Sequence, residues 1–331
     1  MQANLYSKLY FVTNSVTIMF DTVNLRLTRV EVTGVDFLSE IPCNLDGDSI
    51  AVHSFADGEV ITGTLGNLKV SLNAYQVKVK DGSLCKWYLG NNFQAMGRKD
   101  TQRALEKLSD TLHLPLDKAT VTRLDLAQNI VVKHPTDVYL NHLGLLKNAT
   151  RLAEPHSIYY NKTGLRMAFY DKNREQKTKH EQIPELYEGR NVLRYEQRYT
   201  QRVARQLNVL EVKGAMLYDE AFYITLLNKW RDSYKDIQKI NDVSINFQAM
   251  KTKQNLYRMG VLSLIEQMGG QIAMMEQIAE AQKRGELSRK QAYDLKQAVQ
   301  DACTLRDGLT IPNEAIAELD KKVNEAVRFY R

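Results

Sequence analysis

The first part of the chain alternates apolar and polar residues in short runs that turn residues separate. These runs lie between Val23 and Leu89, and Asp57-Gly58, Gly66-Asn67 and Asp81-Gly82 stand between them. A period of two places apolar side chains on one face of a strand, and Asp-Gly and Gly-Asn pairs favour tight turns. The pattern predicts an antiparallel meander, with LCKWYLG as its last strand.

One helix, one strand and a second helix are predicted next. In DTQRALEKLSDTLHL, residues 100–114, apolar side chains recur at intervals of three and four, Asp100 is suited to the N-cap and Pro115 ends the run. Residues 119–132 return to the alternation of a strand. Pro135-Thr136-Asp137 then leads into a helix that we expect to extend to about Leu152.

Three further strands complete the predicted sheet, and the rest of the chain is helical in pattern. HSIYYN and LRMAFYDK meet around Lys162-Thr163-Gly164 as a hairpin, and NVLRYEQRYT follows a charged loop. Beyond about Gly214, apolar residues recur every three or four positions. We therefore predict an α+β fold class, with an antiparallel-sheet domain over residues 19–210 and an all-helical domain over residues 211–331.

Composition and charge exclude several classes of protein. No run approaches the roughly 18 to 20 apolar residues that span a bilayer, and residues 1–18 lack the pattern of an export signal. Because the clean alternating pattern opens at Met19, we expect residues 1–18 to be a leader or upstream extension. Cys43, Cys85 and Cys303 are too far apart for a disulfide framework or a structural zinc site, which fits the cytoplasm. A net charge of +6 favours a polyanionic partner, although a solvated basic surface explains it as well.

Common enzyme motifs are missing from the sequence. It contains no Gly-x-x-x-x-Gly-Lys, Gly-x-Gly-x-x-Gly, His-Glu-x-x-His or Gly-x-Ser-x-Gly. Its six histidines form no His-hydrophobic-His pair. Any chemistry must therefore come from carboxylates, basic side chains and hydroxyls.

Three predicted strands have a charged face opposite an apolar face. The residues are Arg123 and Asp125 on the first, Arg166, Tyr170 and Lys172 on the second, and Arg194, Glu196 and Arg198 on the third. A solvated face with cross-strand ion pairs explains any one of them. Together they favour a site, because carboxylates suit a hard cation such as Mg²⁺ or Mn²⁺ and guanidinium groups bind phosphate oxygens. A tyrosine nearby could then attack a phosphoryl group that the metal polarises.

The chain resembles the replication-initiation endonucleases of filamentous phages, the gene-two protein family, and more distantly rolling-circle plasmid initiators and relaxases. The similar segments cover about residues 19–210 and occur in order: MFDTVNLRL, LPLDKATVTRLDLAQNIVV, LRMAFYDKNREQK and NVLRYEQRYTQR. The last three contain Arg-hydrophobic-Asp, aromatic-Tyr-x-Lys-x-x-Glu and Arg-aromatic-Glu-x-Arg. The resemblance implies a nicking domain similar to that of rolling-circle initiators. Such a domain cuts one origin strand, becomes covalently joined to the 5′ phosphate and leaves a 3′ hydroxyl as primer.

The resemblance also implies roles by motif position. Tyr170 is the nucleophile, Asp125 and Glu196 are ligands of Mg²⁺ or Mn²⁺, Lys172 contacts a phosphate and Glu175 is a helper carboxylate. Rival nucleophiles are Tyr159, Tyr160 and Tyr195, and Tyr170 is preferred because Lys172 follows it on the same strand face. Each rival is more readily explained as a structural tyrosine.

Positive charge is concentrated around these motifs. Residues 151–213 contain 13 Lys and Arg against 8 Asp and Glu. We expect phosphate contacts from Arg123, Arg166, Arg194 and Arg198, while Tyr187, Tyr195 and Tyr199 either stack on bases or pack the sheet.

The implied partners are origin DNA with a locally single-stranded nick site, a host helicase and a polymerase. The helical half is open to three uses, namely duplex binding, homodimer formation and helicase docking. The alternative function is a non-catalytic DNA-binding regulator on the same scaffold.

Overall fold

The computed structural model describes residues 19–32, 34–94, 96–240, 252–304 and 313–328. The leader predicted over residues 1–18 lies outside these ranges. The strands in chain order are β1 (Met19–Thr28), β2 (Ala51–Phe55), β3 (Gly58–Leu65), β4 (Leu68–Leu72), β5 (Gln76–Lys80), β6 (Thr120–Val132), β7 (Leu143–Leu146), β8 (Thr150–Glu154), β9 (Ser157–Lys162), β10 (Leu165–Asp171), β11 (Asn191–Tyr199) and β12 (Ile237–Lys239).

The described helices alternate with the strands in the first part of the chain and dominate the last part. They are α1 (Phe37–Glu40), α2 (Leu84–Leu89), α3 (Arg98–Leu112), α4 (Thr136–Asn141), α5 (Lys172–Thr178), α6 (Val203–Leu207), α7 (Glu220–Lys235), α8 (Lys253–Gln267), α9 (Gly270–Lys283), α10 (Arg289–Thr304) and α11 (Glu314–Arg328). Short 3-10 turns lie at Arg29–Glu31, Pro42–Asn44, Gly47–Ser49, Glu185–Tyr187 and Gly214–Tyr218. None of the described helices combines the length and hydropathy of a membrane span.

Ten strands form one antiparallel sheet in the order β2-β3-β4-β5-β1-β6-β11-β10-β9-β8. The predicted α+β class, the meander and the hairpin at residues 157–171 are confirmed. The central strands come from three parts of the sequence, because β1 pairs with both β5 and β6, and β6 pairs with β11. Side chains that are far apart in sequence therefore meet on the middle of one sheet.

Two predicted elements are wrong in type or length. LCKWYLG forms helix α2 rather than a strand, because the Ser83 side chain caps its N-terminus and Gly90 ends it with φ 83°. The helix expected to reach Leu152 ends at Asn141, and the following residues form β7 and β8, with β8 paired to β9. Here strand pairing outweighs the local helical spacing.

Two further corrections concern the start of α3 and the end of β10. Helix α3 begins at Arg98 after an N-cap at Gly97, so Asp100 lies within its first turn instead of capping it. Strand β10 ends at Asp171, whose side chain caps α5 by accepting from the Arg174 N–H group. Lys172 is therefore the first residue of a helix and does not share the strand face of Tyr170.

In the described residues of the C-terminal part, the one strand among the helices is β12, which pairs with β7. Two of its helices contribute to the main core: Trp230 of α7, and Leu319 and Val323 of α11, are buried in the cluster that covers the sheet. Helices α8, α9 and α10 share a second, smaller cluster around Leu262 and Ile265. The division of the chain at residue 210 stays a prediction.

The two faces of the central strands differ sharply in polarity. On one face, Phe169 stacks on Tyr195 with ring centroids 4.3 Å apart, and Tyr195 packs on Trp230 of α7. Successive side chains of a strand point to opposite faces, so Tyr170 and Glu196, which follow Phe169 and Tyr195, point to the other face. The apolar face makes the core, and the polar face is free to form a site.

Candidate active site

A pocket of about 850 Å³ opens on the polar face over β6, β11 and β10. Its walls also include α2, α5 and the loop after β5. Six of the predicted site residues line it, namely Arg123, Asp125, Tyr170, Glu175, Glu196 and Arg198. Arg166, Lys172 and Arg194 do not line the pocket but lie beside or beneath it.

Tyr170 and Glu196 are joined by a hydrogen bond across β10 and β11. The Tyr170 hydroxyl donates to Glu196 Oε1 at 2.6 Å. Burial, reinforced by the negative charge of Glu196, raises the pKa of Tyr170 well above its ordinary value. The phenol is therefore protonated at neutral pH in the free protein.

Glu196 is held by two arginines on its own strand. Arg194 Nε contacts Oε1 at 2.5 Å, and Arg198 Nε contacts Oε2 at 2.6 Å. Burial alone would raise the pKa of Glu196, but the charges of Arg194 and Arg198 outweigh it and hold this pKa well below its usual range. Glu196 is therefore an ionised carboxylate in a buried place.

Arg194 is fully buried and joins three strands. Its guanidinium donates to Asp21 Oδ2 on β1 at 2.7 Å, to Asn129 Oδ1 on β6 at 3.0 Å and to the Asn92 carbonyl at 3.1 Å, in addition to Glu196. Each of its three nitrogens thus donates to a group inside the protein. This geometry fits a positioning role for Arg194 better than the phosphate contact expected from the sequence.

Asp125 and Arg123 form a two-bond ion pair on β6. Arg123 Nε and Nη2 donate to Oδ1 at 3.0 Å and Oδ2 at 2.6 Å. Burial, with a smaller effect of the nearby charge of Glu196, raises the pKa of Asp125 to about 6. Arg123 lowers this pKa, but its effect is outweighed. Asp125 is paired with Arg198 in the register of β6 and β11, so Glu196, two residues before Arg198, lies diagonally across from Asp125 on the same sheet face.

Lys172 supports Glu175 from beneath the pocket. Its Nζ donates to Glu175 Oε2 at 2.7 Å and to Gln176 Oε1 at 3.0 Å, and burial lowers its pKa to about 8. Lys179 contacts Glu175 from the solvent side. Because Lys172 is 1% exposed, the structure brings Glu175 rather than Lys172 to the pocket wall.

The rival tyrosines occupy different environments. Tyr160 and Tyr195 are buried in the core, where their hydroxyls donate to the carbonyls of Gly144 and Trp230. Tyr159 does line the pocket, and the Arg166 guanidinium lies 4.2 Å from its ring centroid. Of the three, only Tyr159 has access to a ligand in the pocket.

The tyrosines expected to stack on bases are mostly packing residues. Tyr199 is buried in the main core, as is Tyr195. Tyr187 packs against Phe93 with ring centroids 4.9 Å apart and donates to the Phe93 carbonyl. The stacked pair of Tyr159 and Arg166 is thus the accessible aromatic surface beside Tyr170.

Several pocket residues were missed by sequence reasoning. Asp21 on β1 contacts Ser83, Asn92 and Arg194, and its one available signal is that it is the single carboxylate of the strand. Lys86 of α2 and Glu181 after α5 form an ion pair that links two walls, with Nζ to Oε1 at 2.6 Å. No local pattern indicates contacts between residues so far apart in sequence.

The carboxylates that line the pocket are the type of ligand that a hard divalent cation prefers. Its walls include eight Asp or Glu and five Lys or Arg, so acidic groups are in excess. Each Asp125 oxygen accepts one bond and keeps acceptor capacity, whereas Glu196 Oε1 already accepts two. Among the described residues, no group of three or more His, Cys, Asp or Glu has the geometry of a metal site. Asp125 is therefore the more available ligand, with Glu196 second.

Comparisons with known proteins place the chain in a family concerned with replication. A family model for the N-terminal part of the replication-associated gene-two protein matches residues 19–231. A solved structure of a rolling circle replication initiator protein from Geobacillus stearothermophilus matches with a TM-score of 0.38 and 11% sequence identity, over 64% of this chain and 84% of that chain. Comparison with curated proteins gives no match.

Proposed function

Since the chain belongs to the family defined by the N-terminal part of the replication-associated gene-two protein, we propose that it nicks one strand of origin DNA to start rolling-circle replication. The reaction is a transesterification with Tyr170 as nucleophile. The observation that carries this proposal is the Tyr170 hydroxyl, which lies in a polar pocket against Glu196 at 2.6 Å and beside Arg198 and Asp125. The other pocket tyrosine, Tyr159, is the alternative nucleophile.

The proposed step exchanges one phosphodiester for another. The Tyr170 oxygen forms a bond to phosphorus while the bond from phosphorus to the 3′ oxygen breaks. The phenol proton passes to solvent in the open pocket, and the 3′ oxygen takes a proton from water. The products are a 5′-phosphotyrosine and a free 3′ hydroxyl that primes synthesis.

The arginines of the site have separate tasks in this proposal. Arg194 fixes Glu196 and Asp21 from below, so that the hydrogen-bond acceptor of Tyr170 is held in place. Arg198 and Arg123 line the pocket and can turn part of their donors towards a phosphate. Such donors stabilise negative charge that develops on the phosphoryl oxygens.

Asp125, together with Glu196, would hold Mg²⁺ or Mn²⁺ in this proposal. Both are carboxylates, the ligand type that such cations prefer. The chemistry supplied by the bound ion is polarisation of a phosphoryl oxygen, which compensates for the weakness of a protonated phenol. Glu175, held between Lys172 and Lys179, is an acidic neighbour of this site.

Mapping the covalent adduct tests the proposal directly. We expect a supercoiled plasmid that carries the cognate origin to be nicked, with one strand joined through its 5′ phosphate to a peptide that contains Tyr170. Mass spectrometry of the digested adduct identifies the residue. An adduct on Tyr159 would move the nucleophile to β9, and DNA binding without any adduct would favour the non-catalytic regulator instead.

A further inference from the structure

Four cations on β1, β4 and β5 form a basic face next to the pocket. This basic face consists of Arg26, Lys69, Lys78 and Lys80. The pairing register places Lys69 directly opposite Lys80, and Lys78 directly opposite Arg26. Two like-charged cross-strand pairs thus lie side by side, since Lys78 and Lys80 are two residues apart on β5.

Such an arrangement costs stability unless an anion compensates it. Like charges directly opposite each other in an antiparallel pair repel. Within the described ranges, none of the four side chains has an ion-pair or hydrogen-bond partner. Their strand neighbours Val70 and Val79 are buried on the other side of the sheet, so the cations point away from the core. The face is therefore built for a ligand with many negative charges.

The basic face is continuous with the polar face that contains the pocket. Asn24 of β1 is paired with Arg123 of β6, which lines the pocket. Asp81, the residue after Lys80, also lines the pocket, and its N–H group donates to Asn24 Oδ1 at 3.1 Å. A polyanion that enters the pocket can therefore continue across β1 and β5 without leaving the sheet.

The remaining side chains of this face indicate which form of DNA it fits. One row across the strands consists of Thr62, Ser71, Lys78 and Arg26, and the next of Thr64, Lys69 and Lys80. Cations and hydroxyls are the usual contacts to duplex phosphates. Neither row contains an aromatic residue, whereas proteins that bind single strands use aromatic stacking. That chemistry lies on the opposite side of Tyr170, in the stacked pair of Tyr159 and Arg166.

We propose that the basic face binds the phosphate backbone of double-stranded origin DNA next to the nick site. The duplex lies across β1, β4 and β5, and the unpaired strand passes over Tyr170 towards Tyr159. Lys78 and Lys80 are ~7 Å apart along β5, and neighbouring strands are ~4.8 Å apart, so the four cations can reach several phosphates at once. The inference rests on the proposed function in taking DNA as the polyanion and Tyr170 as the place of the nick.

Salt-dependent binding separates this surface from the pocket. The full-length variant R26Q/K69Q/K78Q/K80Q is compared with a control, K99Q/K118Q/K147Q/K235Q, that loses the same charge from exposed positions elsewhere. The probes are a fluorescent duplex of arbitrary sequence and a single strand of equal length. For the duplex, we expect the slope of log affinity against log salt to become shallower by about 3 to 4 in the first variant. The slope of the control should remain steeper than that of the first variant.

The expected pattern has three further parts. The two half variants, K69Q/K80Q and R26Q/K78Q, should each give about half of the slope change. Affinity for the single strand should fall less than affinity for the duplex. The thermal unfolding temperature should not fall, because each half variant removes one repulsive pair.

Two results would overturn the proposal. One is an equal duplex slope in the basic-face variant and its control, and the other is an equal loss for single and double strands. Nicking by the unmodified protein is measured separately on an origin plasmid. Its absence would remove the proposed function while leaving the duplex-binding result intact.

Discussion

The Tyr170 hydroxyl donates to Glu196 Oε1 at 2.6 Å, while Arg194 donates to the same oxygen and Arg198 to the other. The arginines lower the pKa of the carboxylate while burial raises the pKa of the phenol, so the proton stays on Tyr170 in the free protein. Under the proposed function, the nucleophile is positioned before DNA binds but becomes reactive only when the phosphate and cation arrive. This relationship leads to the first prediction.

Replacing Tyr170 with Phe should abolish the covalent adduct and the nick. The variant keeps the ring and loses only the hydroxyl, so folding and DNA binding should change little. Tyr159→Phe is the matched control, because it removes the other hydroxyl that lines the pocket. Adduct formation on a 5′-phosphate is read by gel shift after denaturation, and an adduct on Tyr170→Phe with none on Tyr159→Phe would reverse the assignment.

The stability of the protein should depend on Asp125 between about pH 4 and pH 6. Burial raises the pKa of this carboxyl from 3.8 to about 6. Between those values the folded protein retains a proton that the unfolded chain has lost, so the free energy of unfolding decreases as pH rises through this window. The total change is up to about 3 kcal/mol.

Asp125→Asn should lack this contribution. Urea unfolding of both proteins at a series of pH values gives the difference in free energy of unfolding, which cancels the other titrating groups. We expect the unmodified protein to lose stability relative to the variant as pH rises from about 4 to about 6. A difference that is independent of pH would show that Asp125 titrates normally.

Arg194 and Arg198 should respond differently to the same substitution. Arg194→Met leaves Asp21 and Glu196 buried without their shared partner, which should cost about 3 to 5 kcal/mol of stability. Arg198 is partly exposed and Glu196 keeps Arg194, so Arg198→Met should cost less stability. Instead it should weaken DNA binding and reduce the salt slope by about one phosphate contact. Chemical unfolding and DNA titration check the two effects, and equal stability losses would contradict the assigned roles.

Cation binding should depend on Asp125. Removing its negative charge in Asp125→Asn should weaken binding of Mn²⁺ at least about tenfold, because a hard dication loses an anionic ligand. Asp110→Asn, an exposed change on α3, is the control. Calorimetric titration of Mn²⁺ into the free proteins measures this without relying on nicking, and equal affinities would place the cation elsewhere.

Local patterns predicted most of the strands, and they failed where two signals competed. The alternation in residues 119–132 and 191–199 gives the correct strand and the correct face, because a pleated strand has a strict period of two. Residues 84–89 and 143–146 are short apolar runs, which fit either a helix or a strand. A Ser cap decided the first case, and pairing with β12 decided the second.

The sequence by itself determined the α+β class, the motif order and the polar faces that bear Tyr170, Asp125 and Glu196, because these depend on local periodicity and residue type. Only the tertiary structure decided which groups face the pocket. Arg194 and Lys172 look like surface cations in the sequence, yet both are buried beneath the site. Arg194 is buried against Asp21 and Asn129 of neighbouring strands, and Lys172 lies against the ring of Phe93. Contacts of a buried charge with partners so distant in sequence leave no mark on the residues next to it.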